Sequence, residues 1–215
     1  TKRCLIMNAT DTIPVVILAG GEGSRLGGVD KCLLPVGSET ILGHILQYLS
    51  DHQGNIYLNA NGDLTRFDAY PIQKFADTTP SPIGPIGGLY SALHNLNATS
   101  EHVSHCLTLG GDYPFLPRNL LGKLAQKANS GGYEVVYASA KGRDHFVVAL
   151  WSTLITQALS DYIASGQRSM HGFISTLKSA AVDFDEGEHT LFNINTQAQL
   201  KQAETMILQH ENNLN

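Results

Sequence analysis

The chain has 215 residues, enough for one domain with a substantial core and too few for two comfortable ones. Its 42% hydrophobic and 15% charged residues describe an ordinary globular protein, and a formal net charge of -5 argues against a nucleic-acid surface, which needs a basic stripe. Cys4, Cys32 and Cys106 show neither disulfide nor zinc spacing, and no apolar run is long enough for a membrane span, so a cytoplasmic protein without membrane contact is expected.

Thr1 to Thr12 lacks the order of a signal peptide and reads as a loose leader (1–12) to a single domain over 13–209, followed by a polar tail over 210–215. The domain opens on Pro14-Val15-Val16-Ile17-Leu18-Ala19, a continuously apolar and β-branched run of the kind found in strands buried on both faces of a parallel sheet. Helical apolar spacing follows from Thr40 to Leu49, then a strand at Asn55 to Leu58 and a helix from Gly87 to Leu96. A strand at Cys106 to Leu109 leads to a helix at Leu120 to Ala128, strands at Val135 to Ala138 and Phe146 to Leu150, and helices at Leu154 to Ile163 and Thr196 to Gln209. Asp183 and Asp185 alternate along a candidate strand, as one solvated face. Strands alternating with helices predict an α/β fold: a Rossmann-like, three-layer domain with a mostly parallel central sheet and helices on both faces. Ligands in such folds sit beyond the carboxyl ends of the strands.

The first strand runs into Gly20-Gly21-Glu22-Gly23-Ser24-Arg25-Leu26-Gly27-Gly28-Val29-Asp30-Lys31, where five glycines accompany two cations. Glycines let successive backbone N–H groups face an anion, and Arg25 and Lys31 supply the charge a triphosphate requires. A Walker A loop is excluded because Lys31 lies between Asp30 and Cys32. A dinucleotide fingerprint is excluded because Leu26 stands where a glycine is needed and Asn59 where an acid is needed.

Leu18-Ala19-Gly20-Gly21 with Arg25, Gly28, Asp30 and Lys31 resembles the opening signature of nucleotidyltransferases that use nucleoside triphosphates. The ending Gly27-Gly28-Val29-Asp30-Lys31 is most similar to the molybdenum cofactor guanylyltransferases of the MobA type, and the likeness runs from about Val15 to about Leu200. The resemblance implies nucleotide contacts from Leu18, Ala19, Gly20, Gly21, Lys31, Asn59, Asp77 and Asp112, with Asp77 accepting from guanine. Asp112, in Gly110-Gly111-Asp112-Tyr113-Pro114, is the expected metal ligand, since Mg²⁺ takes one or two carboxylates with phosphate oxygens and water. Arg25, Lys31 and Asp112 are the expected catalytic set. His145, Arg168, Asn193 and Asn195 fall to the acceptor side. Gly87, Gly111, Tyr113, Phe146 and Gln197 depart from the family's usual alanine, cysteine, threonine, proline and proline. The remaining histidines, including His102 and His105, show no convergent metal pattern.

The resemblance thus implies GMP transfer from GTP, with Mg²⁺ (or Mn²⁺ in its place), to the terminal phosphate of molybdopterin or Mo-molybdopterin. Proteins that insert molybdenum or deliver the cofactor are the implied partners. A cytidylyltransferase acting on the same pterin or on a sugar or polyol phosphate shares the glycine loop and strand-end aspartate, and a non-catalytic nucleotide sensor or chaperone module shares the fold.

Overall fold

A computed structural model describes residues 12–20, 30–79, 81–98, 103–184, 187 and 189–212. The apolar run after Pro14 forms β1 (Val15–Leu18), buried along its whole length. It pairs in parallel with β4 (Ile56–Asn59) on one side and β6 (His105–Gly110) on the other. With β5 (Gln73–Phe75), β7 (Val135–Ala140), β8 (Arg143–Ser152) and β9 (Ser179–Asp183), the sheet has seven strands in the order β5-β4-β1-β6-β8-β7-β9. Only β8 opposes its neighbours, so the sheet is mostly parallel as expected. A small separate hairpin, β2 (Pro35–Val36) with β3 (Glu39–Thr40), precedes the first helix.

Alternation along β1 sends Val15 and Ile17 into one layer and Val16 and Leu18 into the other. The first layer is closed by α1 (Ile41–Tyr48), α3 (Leu120–Gly131) and α6 (Gln197–Asn212) through Ile41, Ile45, Leu120, Leu124, Leu200 and Ala203. The second is closed by α2 (Pro85–Ala98), α4 (Thr156–Ala164) and α5 (Met170–Ile174) through Ile86, Leu89, Leu93, Leu159 and Phe173. Helix α1 starts where Thr40 Oγ1 accepts from the Gly43 N–H at 2.9 Å.

The gap expected between Ala138 and Phe146 is itself strand. Lys141 and Gly142 take φ values of 52° and 70°, the two positive angles of a tight hairpin turn that links β7 to β8. A register irregularity between Tyr137 and Ala138 fits the longer β8 to its partner. Among the described residues no helix is long and apolar enough to cross a membrane.

The strand order places a crevice at one edge of the sheet. From β1 the chain goes outward to β4 and β5, then returns through α2 to β6 on the opposite side of β1. At such a reversal the loops leaving two adjacent parallel strands diverge and open a crevice. Leu18 is paired with both Asn59 and Gly110, so three strand ends line up at that opening.

Candidate active site

A cleft of about 350 Å³ lies at this switch point. Its walls come from Leu18 at the end of β1 with Ala19 and Gly20 beyond it, Asn59 at the end of β4, Asp77 after β5, and Gly84 and Pro85 at the start of α2. Gly110 at the end of β6 and Gly111, Asp112 and Tyr113 beyond it line it as well, with Lys31, Cys32, Pro82, Val147, Asn193 and Asn195. The structure therefore brings together Leu18, Ala19, Gly20, Lys31, Asn59, Asp77, Asp112, Asn193 and Asn195. Gly21 and Arg25 lie outside the described residues, as do Gly23, Gly27 and Gly28.

Backbone bonds fix one side of the cleft. The Gly111 N–H donates to the Leu18 carbonyl at 2.9 Å, extending the β1–β6 pairing one residue past the strand, and the Ile194 N–H donates to the Asp112 carbonyl at 2.9 Å. This second bond lays the segment bearing Asn193 and Asn195 beside Asp112. Lys31 Nζ donates to Asn195 Oδ1 at 2.7 Å, so the lysine is aimed across the cleft. Burial raises the Asp112 carboxyl above its ordinary value, opposed by the Lys31 ammonium, a backbone hydrogen bond and Arg143.

On the opposite wall Asp77 is held by two amides. Asn59 Nδ2 donates to its Oδ1 and Asn61 Nδ2 to its Oδ2, each at 3.0 Å, while the Asp77 N–H donates to Asn61 Oδ1 at 2.9 Å. Asn59 is buried. A Cβ on Gly88 would stand 2.4 Å from Asn59 Oδ1 and 3.0 Å from Leu18 Cδ2, so the amide fits only because α2 carries a glycine there. Gly88→Ala is expected to displace Asn59 from Asp77 and to lower folding stability by about 1–3 kcal/mol, read by urea unfolding. An unchanged urea midpoint would show that the wall yields freely.

The sequence from residue 15 to residue 181 matches the family described as the MobA-like NTP transferase domain. The chain belongs to that family. A molybdenum cofactor guanylyltransferase of Haemophilus influenzae is 33% identical over 194 residues, covering 90% of this chain and 98% of the relative. One from Acidiphilium cryptum is 36% identical over 190 residues, covering 88% and 92%. The crystal structure of molybdopterin-guanine dinucleotide biosynthesis protein A from Archaeoglobus fulgidus superimposes with a TM-score of 0.76 at 20% identity, over 92% of this chain and all of that one, and so shares the fold.

The surroundings of several positions where the resemblance implies another residue are defined in the structure. At Gly87 an alanine Cβ would approach Ile83 Cγ1 to 2.8 Å and Asp77 Oδ2 to 3.3 Å. At Gly111 a Cβ would press on the Leu18 carbonyl oxygen at 3.2 Å. Tyr113 turns its hydroxyl to His145 Nδ1, a 3.0 Å hydrogen bond between rings packed edge to face. His145 is buried and does not line the cleft. Burial, with Arg143 adding and Asp144 opposing, pushes its pKa down to about 4, so it stands neutral behind Tyr113 at physiological pH. Gln197 is the first residue of α6, a position proline commonly fills. Here Thr196 Oγ1 accepts from the Gln199 N–H and Gln199 Oε1 from the Asn195 N–H, a capping arrangement that needs no proline.

Arg168 also stands off the cleft, exposed and donating to the Ile163 carbonyl at 2.7 Å and the Gln167 carbonyl at 2.6 Å near the end of α4. Two residues close to the site carried no role in the sequence. Asn61 was visible in Leu58-Asn59-Ala60-Asn61, where an amide two residues past Asn59 was the available signal. Arg66, which pairs with Asp30, gave none.

Proposed function

We propose that the chain transfers GMP from Mg-GTP to the terminal phosphate of molybdopterin, releasing pyrophosphate and forming molybdopterin guanine dinucleotide. The observation that carries this reading is the meeting of Lys31 and Asp112 in one cleft with the backbone of Leu18 to Gly20, at the switch point of a family whose relatives are named for guanylyl transfer.

The acceptor phosphate is ionised at neutral pH and attacks the α-phosphate without a strong general base, so placement and charge neutralisation are the protein's task. The backbone after β1 fixes the triphosphate. Lys31, and Arg25 from the same loop, offset charge on the departing pyrophosphate. Asp77 accepts from guanine: each carboxylate oxygen already takes one amide bond and keeps a lone pair, which matches the paired N1 and N2 donors of that base. Asn193 and Asn195 orient the acceptor. The assignment of Arg168 to an acceptor phosphate rests on the resemblance alone, and His145 serves the site through Tyr113.

Among the described residues no group of three or more His, Cys, Asp or Glu could hold a metal ion. The Asp112 carboxylate and the asparagine amide oxygens are hard donors that suit an ion bringing its own water and phosphate oxygens, which is the coordination of Mg²⁺. Bound at Asp112, Mg²⁺ would supply Lewis-acid charge to the α-phosphate and to pyrophosphate, and Mn²⁺ could replace it. Cys32 and Cys106 are buried free thiols, in keeping with a reducing cytoplasm. Proteins that insert molybdenum or take up the product are the proposed partners.

The decisive experiment mixes the protein with Mg²⁺ and molybdopterin and supplies either GTP or CTP. Pyrophosphate should appear with GTP and require the pterin. Faster release with CTP would sink the guanylyl reading.

A further inference from the structure

We infer that Arg66 is a positioning residue: it locks Asp30, and through it Lys31, onto the wall that holds Asp77. This rests on the nucleotidyl-transfer reading above.

Asp30 occupies the N-cap position of the 3-10 turn Lys31–Leu33, where an aspartate normally accepts a backbone N–H, yet its side chain makes no capping bond. Its carboxylate is given instead to Arg66. Arg66 Nε donates to Asp30 Oδ2, and Nη2 donates to Asp30 Oδ1 at 3.3 Å. The same guanidinium reaches the second wall, with Nη2 donating to the Asn61 carbonyl at 2.8 Å and Nη1 to the Asp63 carbonyl. Asn61 is tied by its side chain to Asp77.

The base of this fork is anchored by a cap and a buried ring. Asp63 caps the 3-10 helix Leu64–Phe67 by accepting from the Thr65 N–H at 3.0 Å, and Phe67, which the guanidinium overlies at 4.5 Å, is wholly buried. Arg66 therefore starts beside a buried ring and ends on the residue next to Lys31. The pair is about a quarter exposed, at 27% and 24% for the two side chains, so solvent screening leaves it little weight as a general source of stability. Its five-donor planar geometry is what matters, because a lysine ammonium cannot satisfy two carboxylate oxygens and two carbonyls at once.

If Arg66 acts through Lys31, losing it should harm ligands with β- and γ-phosphates and spare those without. Calorimetric titration of the whole chain with GTP and with GMP, for wild type, R66M, R66K, D30N, K31A and R66M/K31A, reads this directly. R66M should weaken GTP by about 10- to 100-fold, the range expected for a lost charge-assisted fork, and GMP by less than about threefold. R66K and D30N should fall between wild type and R66M. In the K31A background the R66M change should cost GTP less than about threefold, because two groups acting in series are not additive.

Equal losses for GTP and GMP would overturn the inference, and so would a full R66M loss in the K31A background. Should R66M fail to fold, R66K and D30N carry the same comparison. If wild type prefers CTP, the guanylyl reading fails, while the same cycle with CTP and CMP still decides the role of Arg66.

Discussion

Asp112→Ala should reduce GMP transfer by about 100- to 1000-fold, the usual loss when an electrostatic stabiliser is removed from a reaction centre, with the fold left in place. The carboxylate sits two residues beyond β6 in a loop whose geometry comes from backbone bonds at Gly111 and from the Ile194 N–H on the Asp112 carbonyl, none of which uses the side chain. Burial has already raised its pKa, so the charge is held at a cost to the free protein. A carboxyl whose folded pKa lies above the unfolded one binds its proton more tightly in the native state. Stability therefore falls as pH rises from the unfolded value through the folded value. Asp112→Asn should thus be inactive and, without ligands, more resistant to urea than wild type at pH 7, with the difference vanishing in acid. The acid limb of kcat/KM in wild type should also lie above the ordinary carboxylate range. Wild-type pyrophosphate release by Asp112→Ala at saturating Mg²⁺ would sink the metal-ligand role.

How far the sequence could be read depended on how local each determinant is. β1 was legible because it is buried on both faces and so must be apolar throughout. Within the seven-stranded sheet, the two strands that were not clearly legible, β5 and β9, lie at the edges, and Gln73-Lys74-Phe75 gives three residues with no apolar run. The β7–β8 turn was hidden because Lys141 adopts a left-handed conformation without the asparagine or aspartate that usually announces one. Asp112 and Lys31 could be named from motifs, whereas their joint geometry depends on the β1–β6 pairing and on Asn195, 164 residues from Lys31. Arg66 was invisible for the same reason: its partner is 36 residues away and its own surroundings, Thr65 and Phe67, carry no nucleotide signature. At Gly87 and Gly111 an added Cβ would crowd its neighbours, and Thr196 and Gln199 hydrogen-bond around the start of α6 beside Gln197, details that no local sequence pattern carries.

Asp77→Asn should cost GTP about 100-fold in kcat/KM, because one of the two bonds to guanine is lost, the other loses its charged acceptor, and a bond to a charged group commonly carries about 1.5–3 kcal/mol. An asparagine there has one carbonyl oxygen and one NH₂ group, so one of the two flanking amides, Asn59 Nδ2 or Asn61 Nδ2, meets a donor instead of an acceptor. The base-facing edge is then misdirected even where the side chain keeps its place. Inosine triphosphate separates this loss from a general disturbance, since it keeps the N1 donor of guanine and lacks the exocyclic amine. Wild type should favour GTP over inosine triphosphate, and Asp77→Asn should erase most of that preference while Lys31→Ala retains it. The two walls of the cleft would then be shown to read different parts of one nucleotide. An Asp77→Asn protein with the wild-type preference for GTP over inosine triphosphate would instead move base selection elsewhere in the cleft.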